Sequence, residues 1–216
     1  MHLTIFGATG PTGHDLLQEG LRLGYTLTAF ARNPTAVSIE HERLHVVRGD
    51  VFDTQAVEEA ITGSDAVISV LGSAYSFKTI TLYSVGTANI LQAMQKQGLH
   101  RFLCTSSSAA NSRYDPREGV FFGLFFKRTI GRTLYADMRR MEEEVMKTPL
   151  DWTIVRPARL IEMASLTRYR TGTGYMLPNG TKTSRKDLAD FLLQEVQKNQ
   201  YIQQAVAIAT DENNAT

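Results

Sequence analysis

Phe6-Gly-Ala-Thr-Gly-Pro-Thr-Gly13 sets glycines three apart at Gly7, Gly10 and Gly13. They stand between the apolar run 3–6 and a segment in which Leu16, Leu17 and Leu21 recur at helical spacing. A strand, a tight turn and a helix opening at Pro11 form a βα unit. The free N–H groups and positive dipole end of such a helix attract phosphate. Gly7 permits the tight turn, Gly10 lets backbone approach a pyrophosphate, and Gly13 lets helix and strand pack closely. Proline at position 11 loses nothing, because the first helical N–H has no partner inside the helix. G-x-x-G-x-x-G departs from the commoner G-x-G-x-x-G. Its place in the first βα turn, with a second strand at the expected distance, is what points to a dinucleotide.

Apolar runs at 3–6, 26–31, 44–47, 66–71, 101–105 and 152–155 alternate with helical patterns. Val57, Ala60 and Ile61 mark a second helix, and Val85, Ala88, Leu91 and Met94 a third. Such alternation predicts a parallel sheet wrapped by helices on both faces. Runs apolar nearly throughout suit strands that are covered on both sides. Gly24 and Gly98 fall where two helices should end in left-handed caps. Past Pro157 the rhythm breaks. Residues 158–183 read as a loop-rich stretch, followed by a helix at about 185–198 and a last strand near 205–209. The expected fold is α/β: a Rossmann-like doubly wound parallel sheet, one NAD(P)-binding domain over 1–216. Within it, 158–216 is a small C-terminal extension completing the substrate side.

The second strand speaks to which dinucleotide. It ends Thr-Ala-Phe-Ala-Arg-Asn-Pro34 with Arg32 and no acid, where an NAD-binding chain usually places a carboxylate on the ribose 2′-hydroxyl. A carboxylate would repel a 2′-phosphate, whereas a guanidinium can grip one. NADP(H) is therefore favoured. After the third strand, Asp50 and Val51 stand where a carboxylate can accept from the adenine amino group and an apolar side chain can line its face. Gly72, in Ser-Val-Leu-Gly-Ser73, allows close approach to the middle of the cofactor.

These segments resemble the atypical short-chain dehydrogenase/reductases of the NmrA-like, NAD(P)H-binding group, and among them the flavin reductase/biliverdin-IXβ reductase type. The matching stretches are IFGATGPTG, AFARNP, VVRGDVFD, DAVISVLGS, FLCTSSSA, YADMRRMEEEV, LDWTIVRPARL and TSRKDLADFLL, in family order over nearly the whole chain. The resemblance implies that Gly7, Thr9, Gly10, Pro11, Thr12 and Gly13 wrap the pyrophosphate, and that Arg32 holds the 2′-phosphate. It implies Asp50 and Val51 at the adenine, and Leu71, Gly72 and Ser73 along the ribose and nicotinamide approach. Thr105, Ser106 and Ser107, with Pro157, Ala158 and Arg159, would bracket the nicotinamide.

In the wider superfamily a serine follows the fifth strand, and a tyrosine stands four residues before a lysine that lowers its pKa. Ser107 is the positional match for the serine. Tyr135 matches the tyrosine, with Arg139 at the lysine's position, on one helical face. Arginine stays charged and cannot shuttle a proton. Ser107 and Tyr135 are the catalytic candidates. A flavin or bilin can instead take its proton from solvent, which leaves Ser107 to orient and Tyr135 to pack. The segment 114–132, with four phenylalanines, Leu124, Lys127, Arg128 and Arg132, reads either as an aromatic lid over a flat substrate or as a helix docked on the core or a neighbouring subunit.

Composition narrows the partners. The chain has 216 residues, a net charge of +1 and 21 % charged residues, so it shows no footprint for nucleic acid or an anionic membrane. Cys104 is the only cysteine, which leaves no intrachain disulfide framework and no cysteine-rich metal site. His2, His14, His41, His45 and His100 fall near the first strands or in outward turns, so no metal is expected. The first apolar run is too short for a signal peptide, and none approaches ~20 residues. The expectation is a cytoplasmic, monomeric or homodimeric reductase that moves hydride from NADPH to a planar conjugated acceptor: a flavin, quinone or bilin. The alternative is a non-catalytic NADP(H) sensor of the NmrA-like type.

Overall fold

The computed structural model describes residues 1–112 and 125–211. Strands β1 (His2–Phe6), β2 (Thr26–Ala31), β3 (Leu44–Arg48), β4 (Ala66–Ser69), β5 (Arg101–Thr105) and β6 (Asp151–Pro157) alternate with helices. These are α1 (Pro11–Arg22), α2 (Thr54–Ile61), α3 (Leu82–Gln97) and α4 (Arg132–Met146). Beyond β6 come β7 (Arg159–Ile161), β8 (Tyr169–Thr173), β9 (Lys182–Ser184), α5 (Arg185–Lys198) and β10 (Gln204–Thr210). The main sheet runs β3-β2-β1-β4-β5-β6-β10-β8. Every neighbouring pair in it is parallel except β10 with β8, where Ala207 faces Gly172. The order reverses between β1 and β4, where Phe6 lies opposite Phe30 on one side and Ser69 on the other. In open α/β sheets the crevice beyond such a reversal is where ligands bind.

Alternate residues of the strands feed two cores. Leu3, Ile5, Val206 and Leu103 pack under α1 and α5, against Leu16, Leu17 and Leu193. Phe6, Val67 and Phe102 pack under α2, α3 and α4, against Ile61, Ile90, Met94 and Met141. Each such side chain contributes about 1.5–3 kcal/mol by leaving water. Asp53 caps α2 by accepting from the amides of Gln55 and Ala56, at 3.1 and 3.2 Å, worth about 1 kcal/mol. Gly24 and Gly98 take φ of +90° and +67° after α1 and α3, the left-handed endings expected of them.

Two expectations change. The buried face of α3 is not Val85 and Ala88, which are exposed, but Tyr83, Gly86, Thr87, Ile90 and Leu91. Asp137 of α4 sets that rotation by accepting from the Tyr83 amide at 2.8 Å, and Gly86 lies against Val51, where a Cβ would come within 2.9 Å of Cγ1. The 158–183 stretch contains β7, β8 and the start of β9 rather than loop alone. Its strands are short and pair with distant segments, β7 with β9 and β8 with β10, and hydroxyls add to the hold. Thr183 Oγ1 donates to the Ile208 carbonyl (2.7 Å) and accepts from the Ala158 amide (3.0 Å), while the Ser184 amide donates to Thr210 Oγ1 (2.7 Å).

Candidate active site

At the β1/β4 reversal the glycine loop meets the end of β4. Gly7 has φ +84°, and a Cβ there would lie 2.5 Å from the Val70 carbonyl oxygen. At Gly13 a Cβ would fall 2.3 Å from the Gly7 carbonyl oxygen and 2.7 Å from Ala8 Cα. Glycine is thus required by the fold itself at both positions. Gly10 differs: the nearest atom to a Cβ is the Gly7 oxygen at 3.4 Å. Its residue is the N-cap of α1, and no side chain caps that helix.

From this turn a groove of about 500 Å³ follows the carboxyl ends of the strands. Gly7, Thr9, Gly10, Pro11, Thr12 and Gly13 line one end, and Arg32 after β2 and Asp50 and Val51 after β3 line another. Leu71, Gly72 and Ser73 after β4, Thr105 and Ser106 after β5, and Pro157 of β6 complete the predicted set. Arg32 is exposed and has no hydrogen-bond or ion-pair partner among the described residues. Asp50 turns the chain by accepting from the Phe52 amide at 3.1 Å. A Cβ on Gly72 would meet nothing within 4 Å. The Ser73 amide donates to the Tyr83 hydroxyl at 3.0 Å, so the Asp137–Tyr83 contact also positions this loop; burial pushes the Tyr83 phenol pKa up. Ser106 Oγ is buried without a hydrogen-bond partner, a condition costing about 1–3 kcal/mol unless a ligand relieves it. The uncapped helix, the open backbone at Gly72 and this orphaned hydroxyl suit a dinucleotide.

A second cavity of about 500 Å³ adjoins the groove, and Ser106, Met138, Pro157 and Leu160 line both. Its walls are mostly apolar: Tyr75, Phe126, Leu134, Tyr135, Ala109, Ala158 and Met176, with Ser107, Ser108, Arg159 and Thr181. Both catalytic candidates face it. Ser107 Oγ accepts from the Ala109 amide at 3.1 Å, which leaves its O–H free to donate elsewhere. Tyr135 is buried, its hydroxyl 3.1 Å from that of Tyr75, whose ring meets Phe126 edge-on at 5.1 Å.

Two of the remaining expected residues fall on the second cavity. Ala158 and Arg159, predicted beside the cofactor, line the second cavity and not the groove, because the chain turns away into β7 after Pro157. Arg139 follows Tyr135 by one turn of α4. Its guanidinium donates to the Ala110 carbonyl at 3.2 Å, and Met138 is the α4 residue between the two spaces. Of the aromatic stretch 114–132, residues 114–124 lie outside the described residues, and Phe126 lines the cavity. The end of β6 is fixed by a buried bidentate pair, Arg156 to Glu142 at 2.9 and 2.7 Å, with Tyr175 stacked 3.7 Å from the guanidinium carbon. Cys104 is fully buried, and burial, reinforced by Glu142, pushes its thiol pKa far up, which makes it a packing residue. No histidine lines either space.

Sequence reasoning missed Phe30, Phe52, Tyr83, Met138, Leu160, Arg185 and Leu188 in the groove and Tyr75 and Met176 in the cavity. Phe30, Phe52, Met138, Leu160, Arg185 and Leu188 stand inside the stretches that carry the resemblance; Tyr83, Tyr75 and Met176 stand outside them.

A doubly wound sheet with a glycine turn at its reversal and a groove along its strand ends defines a Rossmann-like dinucleotide-binding protein. The chain belongs to the NAD(P)H-binding family, whose model matches residues 7–199. It is 30 % identical over 168 residues to an uncharacterised chloroplastic protein of Arabidopsis thaliana; the match covers 72 % of this chain and 58 % of that one, so the chain spans little more than half of that relative's length. Its fold is shared with an oxidoreductase from Lactococcus lactis, at TM-score 0.81, 22 % identity and coverage of 98 % and 91 % of the two chains. It is shared too with a short-chain dehydrogenase/reductase from Veillonella parvula in complex with NADP, at TM-score 0.80, 16 % identity and coverage of 98 % and 95 %. Among the described residues no helix is long and apolar enough to cross a membrane.

Proposed function

We propose that the protein is an NADPH-dependent reductase that delivers hydride to a planar conjugated acceptor of the flavin, quinone or bilin type. One observation carries the reading. The cavity that opens from the groove at Ser106, Met138, Pro157 and Leu160 is walled mainly by aromatic and aliphatic side chains, with no carboxylate among the described residues of its lining. A flat ring system gains about 25 cal/mol per Å² of apolar surface buried there, and Tyr75, Phe126 and Tyr135 offer ring edges and faces.

In this reading Gly7, Thr9, Gly10, Pro11, Thr12 and Gly13 wrap the diphosphate, and Arg32, without a partner among the described residues, takes the 2′-phosphate. Asp50 and Val51 meet the adenine, Leu71, Gly72 and Ser73 the central riboses, and Thr105, Ser106 and Pro157 the nicotinamide. The NADP found with the Veillonella parvula relative supports the choice of cofactor. Bound NADPH supplies the hydride. Ser107 orients the acceptor with the O–H left over from its bond to Ala109. A conjugated ring spreads the charge that hydride brings and takes its proton from solvent, so Tyr135 packs against the ring and needs no neighbouring cation. The placement of Arg139 on the Ala110 carbonyl agrees with that economy of function.

NADPH oxidation against a panel of FMN, quinones, bilins and small carbonyls tests the proposal. Turnover of the planar acceptors, with small carbonyls far slower, is expected. Turnover of small carbonyls alone overturns it. Tight NADPH binding with no turnover of any acceptor would return the chain to the sensor reading, which the missing Tyr-x-x-x-Lys lysine favours.

A further inference from the structure

The groove holds a second arginine besides Arg32. Arg185 is the first residue of α5, and α5 packs on α1, the helix that opens the glycine loop. Its side chain lines the same groove as Gly10 and Pro11 and is about one-fifth exposed. Its Nη1 donates to Glu162 Oε1 at 2.7 Å; the glutamate stands just past β7 and is 73 % exposed. The same neighbourhood reaches the second turn of α1: burial first, then Glu162, raise the Asp15 pKa, and Lys186, His14 and Arg185 oppose them. Arg185 is therefore close to the start of α1. Lys186 donates to the Ala164 carbonyl at 2.6 Å.

A carboxylate oxygen on a guanidinium N–H occupies a place that a phosphate oxygen can take. An arginine lining this groove with one N–H on a solvent-exposed carboxylate can exchange that partner for a phosphate. We infer that Arg185 is a ligand of the cofactor's diphosphate, and that Glu162 competes with the diphosphate for it. Cofactor binding exchanges one ion pair for another and frees Glu162. Because Glu162 follows β7, whose Leu160 lines both groove and acceptor cavity, loading the cofactor also releases a tether on the wall shared by the two spaces. The inference rests on the family's cofactor and not on the identity of the acceptor.

The exchange sets the size of the effects. Arg185→Ala loses a charge-assisted contact and is expected to weaken NADPH binding roughly tenfold or more. Glu162→Gln removes a competitor whose own side chain is largely exposed and is expected to tighten it roughly two- to fivefold. In the Arg185→Ala background, Glu162→Gln is expected to change nothing. Binding is read by calorimetry on the intact chain, with NADPH and, by competition, with adenosine 2′-monophosphate, which carries the 2′-phosphate but no diphosphate. The adenosine ligand should bind Arg185→Ala as it binds wild type. NADPH affinity within twofold of wild type in Arg185→Ala overturns the inference, as does an equal loss for adenosine 2′-monophosphate. Tightening by Glu162→Gln that persists without Arg185 overturns the competition. Glu162 is exposed, so its variant tests the idea even if Arg185→Ala folds poorly. None of these readings depends on turnover, so failure of the reductase proposal leaves them intact.

Discussion

The groove and the cavity that meet at Ser106 are built by different means. The groove is made of backbone: turns at the ends of β1, β3 and β4, with glycines at 7, 10, 13, 49 and 72 bringing the chain itself to the surface. The cavity is made of side chains that arrive from far apart in the sequence, Tyr75, Ser107, Phe126, Tyr135, Arg159 and Met176. At Gly7 and Gly13 an added Cβ meets main chain that cannot move, so those positions admit few residue types. A side-chain site tolerates exchange of one hydrophobe for another of similar size. The cofactor end of the molecule is therefore constrained by geometry, and the acceptor end is free to be re-specified.

The sharpest break in that contrast is expected inside the glycine loop. Gly13→Val would drive a side chain into the Gly7 carbonyl and Ala8, and is expected to cost on the order of 3 kcal/mol or more, read as a large fall in the denaturation midpoint. Gly10→Val, with only the Gly7 oxygen near, should keep the thermal transition and lose dinucleotide binding. If both variants bind NADPH as wild type does, the loop is not the site.

Arg32→Ala comes next. Loss of a charge-assisted phosphate contact is expected to weaken NADPH by about 1.5–3 kcal/mol, roughly tenfold to a hundredfold, and to leave NADH unchanged. Equal weakening of both cofactors in titrations would remove the arginine from the 2′-phosphate.

On the cavity side the effects are smaller. Ser107→Ala should slow turnover by the worth of a neutral hydrogen bond, ~0.5–1.5 kcal/mol, on whichever acceptor is turned over fastest. Tyr135→Phe should change it only a few-fold, since solvent supplies the proton. A general acid would contribute ~10²–10⁴-fold, so a thousandfold loss in steady-state kcat would make Tyr135 the acid and the acceptor an isolated carbonyl.

Legibility in the sequence follows the same division. The first six strands, α1 and α5 were readable because continuous apolar runs and a 3.6-residue period report burial directly, and β1 and α5 end where the pattern says. The face of α3 was not, because Asp137, some fifty residues away, rotates it by holding the Tyr83 amide. Tyr135 and Arg139 share a helical face in the pattern. Spacing alone does not say where a long side chain goes, and the Ala110 carbonyl took the guanidinium.

By itself, then, the sequence determined the doubly wound sheet, the turn at its reversal and the family of cofactor, because local steric rules at Gly7 and Gly13 and two-sided burial of strands are written residue by residue. Only the tertiary structure decided β7, β8 and β9, the second cavity, the Tyr75–Tyr135 contact and the Arg185–Glu162 pair. Those depend on hydroxyls, rings and charges from separate segments meeting in space. A polar strand such as Tyr-Arg-Thr-Gly-Thr173 carries no periodic signal of its own, and it takes shape only when β10 offers its edge.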